Sequence, residues 1–134
     1  VLYAMYHETS EVMTGDLPTP VKYYNRSIHG AYKQLEKSAC EKITDMLPEE
    51  LKKGIAPFVL ADEDSEEYRL VKAADRLSAY IKCLEELRSG NSEFSKAKKS
   101  IEADLRSRHM PEVEYFFENF IPSFSLTLDE LEGF

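Results

Sequence analysis

The chain has no tryptophan, only two cysteines, fewer basic than acidic residues and no long apolar run. Cys40 and Cys83 have no metal-ligand spacing, and each falls within a helical pattern. That excludes a cysteine-built metal cluster and predicts buried free thiols in a reducing cytosol. No run of about 18 apolar residues occurs, which excludes a transmembrane helix and any membrane partner of that kind. With 17 Lys and Arg against 25 Asp and Glu, the net charge is -8. Such a balance argues against a nucleic-acid polymer as partner, because phosphate backbones are bound by basic surfaces. A single nucleotide stays open, since a bound metal supplies positive charge locally. No internal repeat, low-complexity tract or linker interrupts the 134 residues, so residues 1–134 are expected to form a single domain. The first residue is Val1 and the apolar pattern is already under way there. We expect the natural N-terminus to lie further upstream, with no signal peptide in what is present.

What is there centres on Ala4-Met5-Tyr6-His7-Glu8-Thr9-Ser10-Glu11-Val12-Met13-Thr14-Gly15-Asp16-Leu17-Pro18-Thr19-Pro20. Val1 to about Thr14 reads as a helix stopped by Gly15. On a helix, His7 and Glu11 are four apart and Glu8 and Glu11 three apart, so all three project toward one broad face. A histidine nitrogen held beside carboxylates suits a divalent metal with a neighbouring general acid or base. From the residues alone, a solvated polar face is the commoner origin of such a pattern, since exposed His and Glu abound. Asp16 to Pro20 cannot continue a helix, because two prolines remove donors and push their predecessors toward extended geometry. The expected result is a rigid loop beside the His7 and Glu11 face, serving either as a plain turn or as part of a site.

The remainder reads as helical scaffold. A helix from Lys22 to about Leu47 carries Ile28, Ala31, Leu35, Ala39, Ile43 and Met46 as a core stripe, with Tyr23, Tyr24 and Tyr32 in its first turns as packing or dimer surface. His29 reads as a surface histidine. Pro48 starts a short turn, Glu49 to Lys53, closed by Gly54, and Ile55 to Leu60 reads as a Pro-broken connector. Asp64 and Glu67 have capping-box spacing before a helix from about Ser65 to Ser89, whose stripe is Val71, Ala74, Leu77, Ser78, Ile81 and Leu84. Asp75 falls inside that stripe. A carboxylate facing a core needs a partner, either a basic side chain or a metal, and the residues leave both open. A further helix follows Asn91 or Ser92 with Phe94, Ala97, Ile101 and Leu105 inward and its bases solvated. Pro111 opens another, with Val113, Phe116, Phe117 and Phe120 as its core stripe. Thr127 and Glu130 repeat the capping-box spacing before a short tail helix, Leu128 to about Glu132. The sum is an all-α domain of about five to six helices.

Three segments also carry a resemblance: Ala4 to Tyr23, Val71-Lys72-Ala73-Ala74-Asp75-Arg76-Leu77-Ser78-Ala79-Tyr80 with Lys82-Cys83-Leu84-Glu85-Glu86-Leu87, and Pro122-Ser123-Phe124. In this order they resemble the HD-domain 5'-deoxynucleotidases, small bacterial metal-dependent phosphohydrolases. The resemblance implies an HD-domain helical bundle that hydrolyses 5'-deoxyribonucleoside monophosphates, with cobalt, manganese or a similar divalent ion, in a cytoplasmic homodimer. It implies His7, Glu8 and Asp75 as metal ligands, Glu11 as the catalytic proton carrier, and Asp16, Leu17, Pro18 and Thr19, with Glu8 and Asp75, beside the substrate. Two departures stand out. The family's His is followed by Asp where this chain has Glu8, and the family takes a further His and an Arg-Trp pair from an earlier part that this chain does not contain. The resemblance thus leaves two other outcomes: an HD phosphohydrolase acting on another nucleotide, or a helical module with a degenerate metal site.

Overall fold

A computed structural model of the chain describes residues 1–18, 21, 24–127 and 130. Those residues form helices and turns and no strand, as the periodicity predicts. Two compact units arise, residues 1–71 and 72–134.

The first unit opens with two short helices, α1 (Leu2–Tyr6) and α2 (Glu11–Thr14), where a continuous helix was expected. The break has a local cause. Thr9 Oγ1 donates to the Tyr6 carbonyl at 2.6 Å, and His7 Nδ1 lies 2.8 Å from the Ala4 carbonyl. Side chains that occupy carbonyls in this way compete with the helical ladder. The backbone tightens accordingly, with Thr9 N–H on Tyr6 O, Glu11 N–H on Glu8 O and Val12 N–H on Thr9 O, all three-residue bonds.

Helix α3 (Arg26–Asp45) begins at Asn25, whose side chain accepts from the Ile28 amide at 2.9 Å. Lys22 and Tyr23, where the helix was expected to start, lie outside the described residues. Of the predicted stripe, Ala39 is buried and Ile43 half-buried, but Ile28, Ala31, Leu35 and Met46 are exposed, and Tyr32 and Thr44 are buried in their place. Thr44 is accommodated because its hydroxyl donates to the Cys40 carbonyl at 2.8 Å.

Helix α4 (Glu49–Val59) corrects a second expectation, since neither Gly54 nor Pro57 ends it. Pro57 lacks the N–H that would reach the Lys53 carbonyl. Ile55, Phe58 and Val59 nonetheless sit on its more buried side, and Tyr3 of α1 meets Phe58 edge to face with ring centroids 5.1 Å apart. The helix stops at Leu60, whose N–H bonds the Ala56 carbonyl. Leu2, Met5 and Val12 are exposed.

Helix α5 (Glu66–Arg88) is capped by Ser65, not Asp64: Ser65 Oγ accepts from the Tyr68 amide at 3.2 Å, with Glu66 and Glu67 in the first turn. Its first turns belong to the first unit and the rest to the second. Its far end closes as a Schellman motif, Asn91 N–H on Glu86 O and Gly90 N–H on Leu87 O, with Gly90 at φ 88°.

The second unit adds α6 (Phe94–Ser107), α7 (Pro111–Asn119) and a 3₁₀ turn, Ile121–Ser125. Ala73, Leu77, Tyr80 and Cys83 of α5 join Ile101, Leu105, Met110, Val113 and Phe117 in one core. Ala74 and Ser78, expected in the stripe, are exposed, as are Ala97 and Phe120. Tyr80 meets Phe117 edge to face at 5.1 Å. Arg106 covers the other side of the aromatic cluster, 4.5 Å from the Phe117 centroid, while bonding Glu102 and Glu114. Glu130 Oε2 accepts from both the amide and the hydroxyl of Thr127, as the capping-box spacing predicts. Leu128, Asp129 and the residues after Glu130 lie outside the described set.

Candidate functional site

His7 is the C-cap of α1, with helical backbone angles, and its ring is held by the chain's own carbonyl. A carbonyl only accepts, so the 2.8 Å contact with Ala4 O places the proton on Nδ1 and leaves the lone pair on Nε2. That Nε2 is buried and makes no hydrogen bond, and the side chain is 16% exposed. Glu8 Oε1 lies 3.6 Å from it, on a side chain that is largely open to solvent. A shielded imidazole lone pair with a carboxylate oxygen at its tip is the donor chemistry that a first-row divalent cation takes. The residues present therefore fit a metal.

Glu11 opens α2 one tight turn later, half-buried, its N–H on the Glu8 carbonyl at 2.9 Å. The loop after it turns at Gly15, with φ 68° and ψ 164°. This backbone region is essentially closed to residues with a Cβ, although open space surrounds the glycine. The Gly15 carbonyl receives Tyr32 Oη at 3.2 Å and Thr14 Oγ1 at 3.0 Å. Asp16 and Pro18 are exposed and Leu17 half-buried; Thr19 lies outside the described residues.

Asp75 belongs to the second unit, where it departs from its expected place. It is exposed rather than turned to a core, because the buried face of α5 runs through Ala73, Leu77 and Tyr80. The argument that burial forces a partner on it does not hold. Arg76 beside it is engaged elsewhere, donating through Nε to Asp104 at 3.1 Å. Within the first unit, the structure brings His7 and Glu8 together and sets Glu11 one turn on.

Sequence reasoning missed two contributors here. The Ala4 carbonyl carries no residue signature, since any residue supplies it. Tyr32 reads in the sequence as packing or dimer surface; it is buried, and its distance of 17 residues from Gly15 hides the contact. Cys40 is half-buried and Cys83 buried, both free. Burial pushes the Cys40 thiol up, against hydrogen bonding from Ser10 that lowers it, which keeps it a poor nucleophile.

Comparison with known proteins decides the kinship. A family model described as 5'-deoxynucleotidase YfbR-like matches residues 1–124. The chain belongs to the YfbR-like family. Among its relatives, the 5'-deoxynucleotidase of Vibrio cholerae serotype O1 is 53% identical over 131 residues, covering 97% of this chain and 68% of that protein. The Erwinia tasmaniensis 5'-deoxynucleotidase is 55% identical over 131 residues, 97% of this chain and 66% of its own length. The Escherichia coli 5'-deoxynucleotidase YfbR of strain K12 is 56% identical over 133 residues, again 97% and 66%. The chain thus spans about two thirds of the length of these YfbR-like relatives. No helix among the described residues is long and apolar enough to cross a membrane.

Proposed function

We propose that the protein is a metal-dependent phosphohydrolase releasing phosphate from 5'-deoxyribonucleoside monophosphates. The observation that carries the reading is the shielded, unbonded His7 Nε2 with Glu8 Oε1 at 3.6 Å, in a chain whose relatives bear the name 5'-deoxynucleotidase. His7 and Glu8, with Asp75 assigned from the family resemblance, hold the ion. Cobalt and manganese both suit such ligands. When bound, a divalent ion offsets the negative charge of the phosphate and makes a water a better nucleophile.

The chain's own groups then have separate tasks. Ala4 holds the imidazole in the tautomer that leaves Nε2 free. Glu11 moves the proton, taking it from the attacking water or giving it to the leaving 5' oxygen. Amides along Asp16, Leu17 and Pro18–Thr19, with the Thr19 hydroxyl, are the donors offered to phosphate or sugar oxygens, and Glu8 and Asp75 also face the substrate in this assignment. Proline 18 has no N–H, so the donors are its neighbours. A homodimer, a cytoplasmic location and a small nucleotide substrate, with no nucleic-acid polymer or membrane as partner, complete the proposal. Two free thiols suit that compartment.

The test is inorganic phosphate release from matched panels of 5'-deoxyribonucleoside and 5'-ribonucleoside monophosphates, with cobalt or manganese added. It is run on this chain and on this chain joined to the upstream part of the Vibrio cholerae relative. Release that favours the deoxy forms, from either chain, supports the reading. Release from other nucleotides alone, or silence from both chains, contradicts it.

A further inference from the structure

We infer that Tyr32 is a positioning residue for substrate binding, acting through the Gly15 carbonyl on the loop that follows. The inference rests on the nucleotide reading of that loop. Three observations within the first unit carry it. The chain reverses out of α2 at a glycine whose angles, φ 68° and ψ 164°, do not by themselves hold the next residues in one direction. The Gly15 carbonyl is the point where that direction is fixed, and two hydroxyls meet it.

These hydroxyls are not equivalent. Thr14 Oγ1 has a single proton and lies within bonding distance of two carbonyls, Ser10 at 3.2 Å and Gly15 at 3.0 Å, so its hold on Gly15 is shared. It also belongs to the short helix that the loop leaves, next to the glycine it would restrain. Tyr32 Oη, at 3.2 Å, reaches Gly15 from α3, a 20-residue helix capped at Asn25. Tyr32 is 8% exposed, and its ring cannot swing away without leaving a void. Tyr32 therefore ties the orientation of the Asp16 and Leu17 amides to a rigid element, whereas Thr14 ties it only to the preceding turn. Binding groups on a loop that is already ordered avoid part of the ordering cost on association.

The experiment compares wild type with Tyr32→Phe, which keeps the ring and removes the hydroxyl. Backbone relaxation by NMR reports the order of the Asp16 and Leu17 amides, and calorimetry reports dissociation constants for the four 5'-deoxyribonucleoside monophosphates. We expect the amide order parameters to fall from about 0.85 toward 0.6. We expect binding to weaken about five- to tenfold, the size of one hydrogen bond, with α3 signals unchanged. Thr14→Val, which retains the Tyr32 contact, should change both readouts less. Equal order and affinity in wild type and Tyr32→Phe overturn the tether while leaving the nucleotide reading intact. Absence of binding by the wild-type protein overturns the nucleotide reading and this inference with it.

Discussion

At the scale of single residues, the site is built from backbone as much as from side chains. The Ala4 carbonyl sets the His7 tautomer, and the Thr9 hydroxyl on Tyr6 O helps end α1 so that His7 sits at a helix terminus. His7→Ala should weaken cobalt or manganese binding by more than about tenfold, measured by calorimetry, while leaving thermal stability close to wild type because the ring packs at a helix end. Gly15→Ala is expected to cost about 1–3 kcal/mol in urea denaturation, because alanine is strained at φ 68° whatever the surrounding space. Tyr80 gives a prediction in pH. Burial first, then the nearby Glu102 carboxylate, raises its phenol to about 12 from a usual value of 10. A phenol that holds its proton more tightly when folded contributes stability below the unfolded value and loses it as pH rises from 10 toward 12. Urea midpoints should fall across that window in wild type and fall less in Tyr80→Phe.

At the scale of elements, the ends were easier to read than the faces. The Thr127 and Glu130 spacing and the Pro111 start both appear as expected, because each depends on a local backbone need that one residue type meets. Asn25→Ala should destabilise the protein by about 1 kcal/mol, read by chemical denaturation, through loss of the bond to the Ile28 amide. The stripe of α3 holds at Ala39 but fails at Ile28 and Leu35, which look like core residues, whereas Tyr32 is turned inward. Apolar character alone does not say which of two adjacent faces meets a neighbour. The opposite error occurred at α4, where Gly54 and Pro57 were given the power to stop a helix. The apolar spacing of Ile55, Phe58 and Val59, and the contact of Phe58 with Tyr3, outweighed them. Asp75 shows how such an error reaches function. Read on the inward face of α5, Asp75 requires a partner for burial; exposed, it carries no such requirement.

At the scale of the whole molecule, the all-α class and the family were both legible, the first from periodicity and the second from segments scattered along the chain. The carrying geometry of the site was not, since the tautomer of His7 and the hold on Gly15 depend on carbonyls that no residue code announces. The charge of -8 implies that duplex DNA should not be retained even at low salt, checked by gel shift. The most direct test of the account is phosphate release from 5'-deoxyribonucleoside monophosphates by wild type and Glu11→Gln side by side, with cobalt or manganese and then with chelator. Both are made in whichever form, the chain alone or its upstream extension, is active. The account predicts release that stops on chelation and falls by at least about a hundredfold in Glu11→Gln at unchanged melting temperature. Release that survives chelation, or that Glu11→Gln supports as well as wild type, would contradict it.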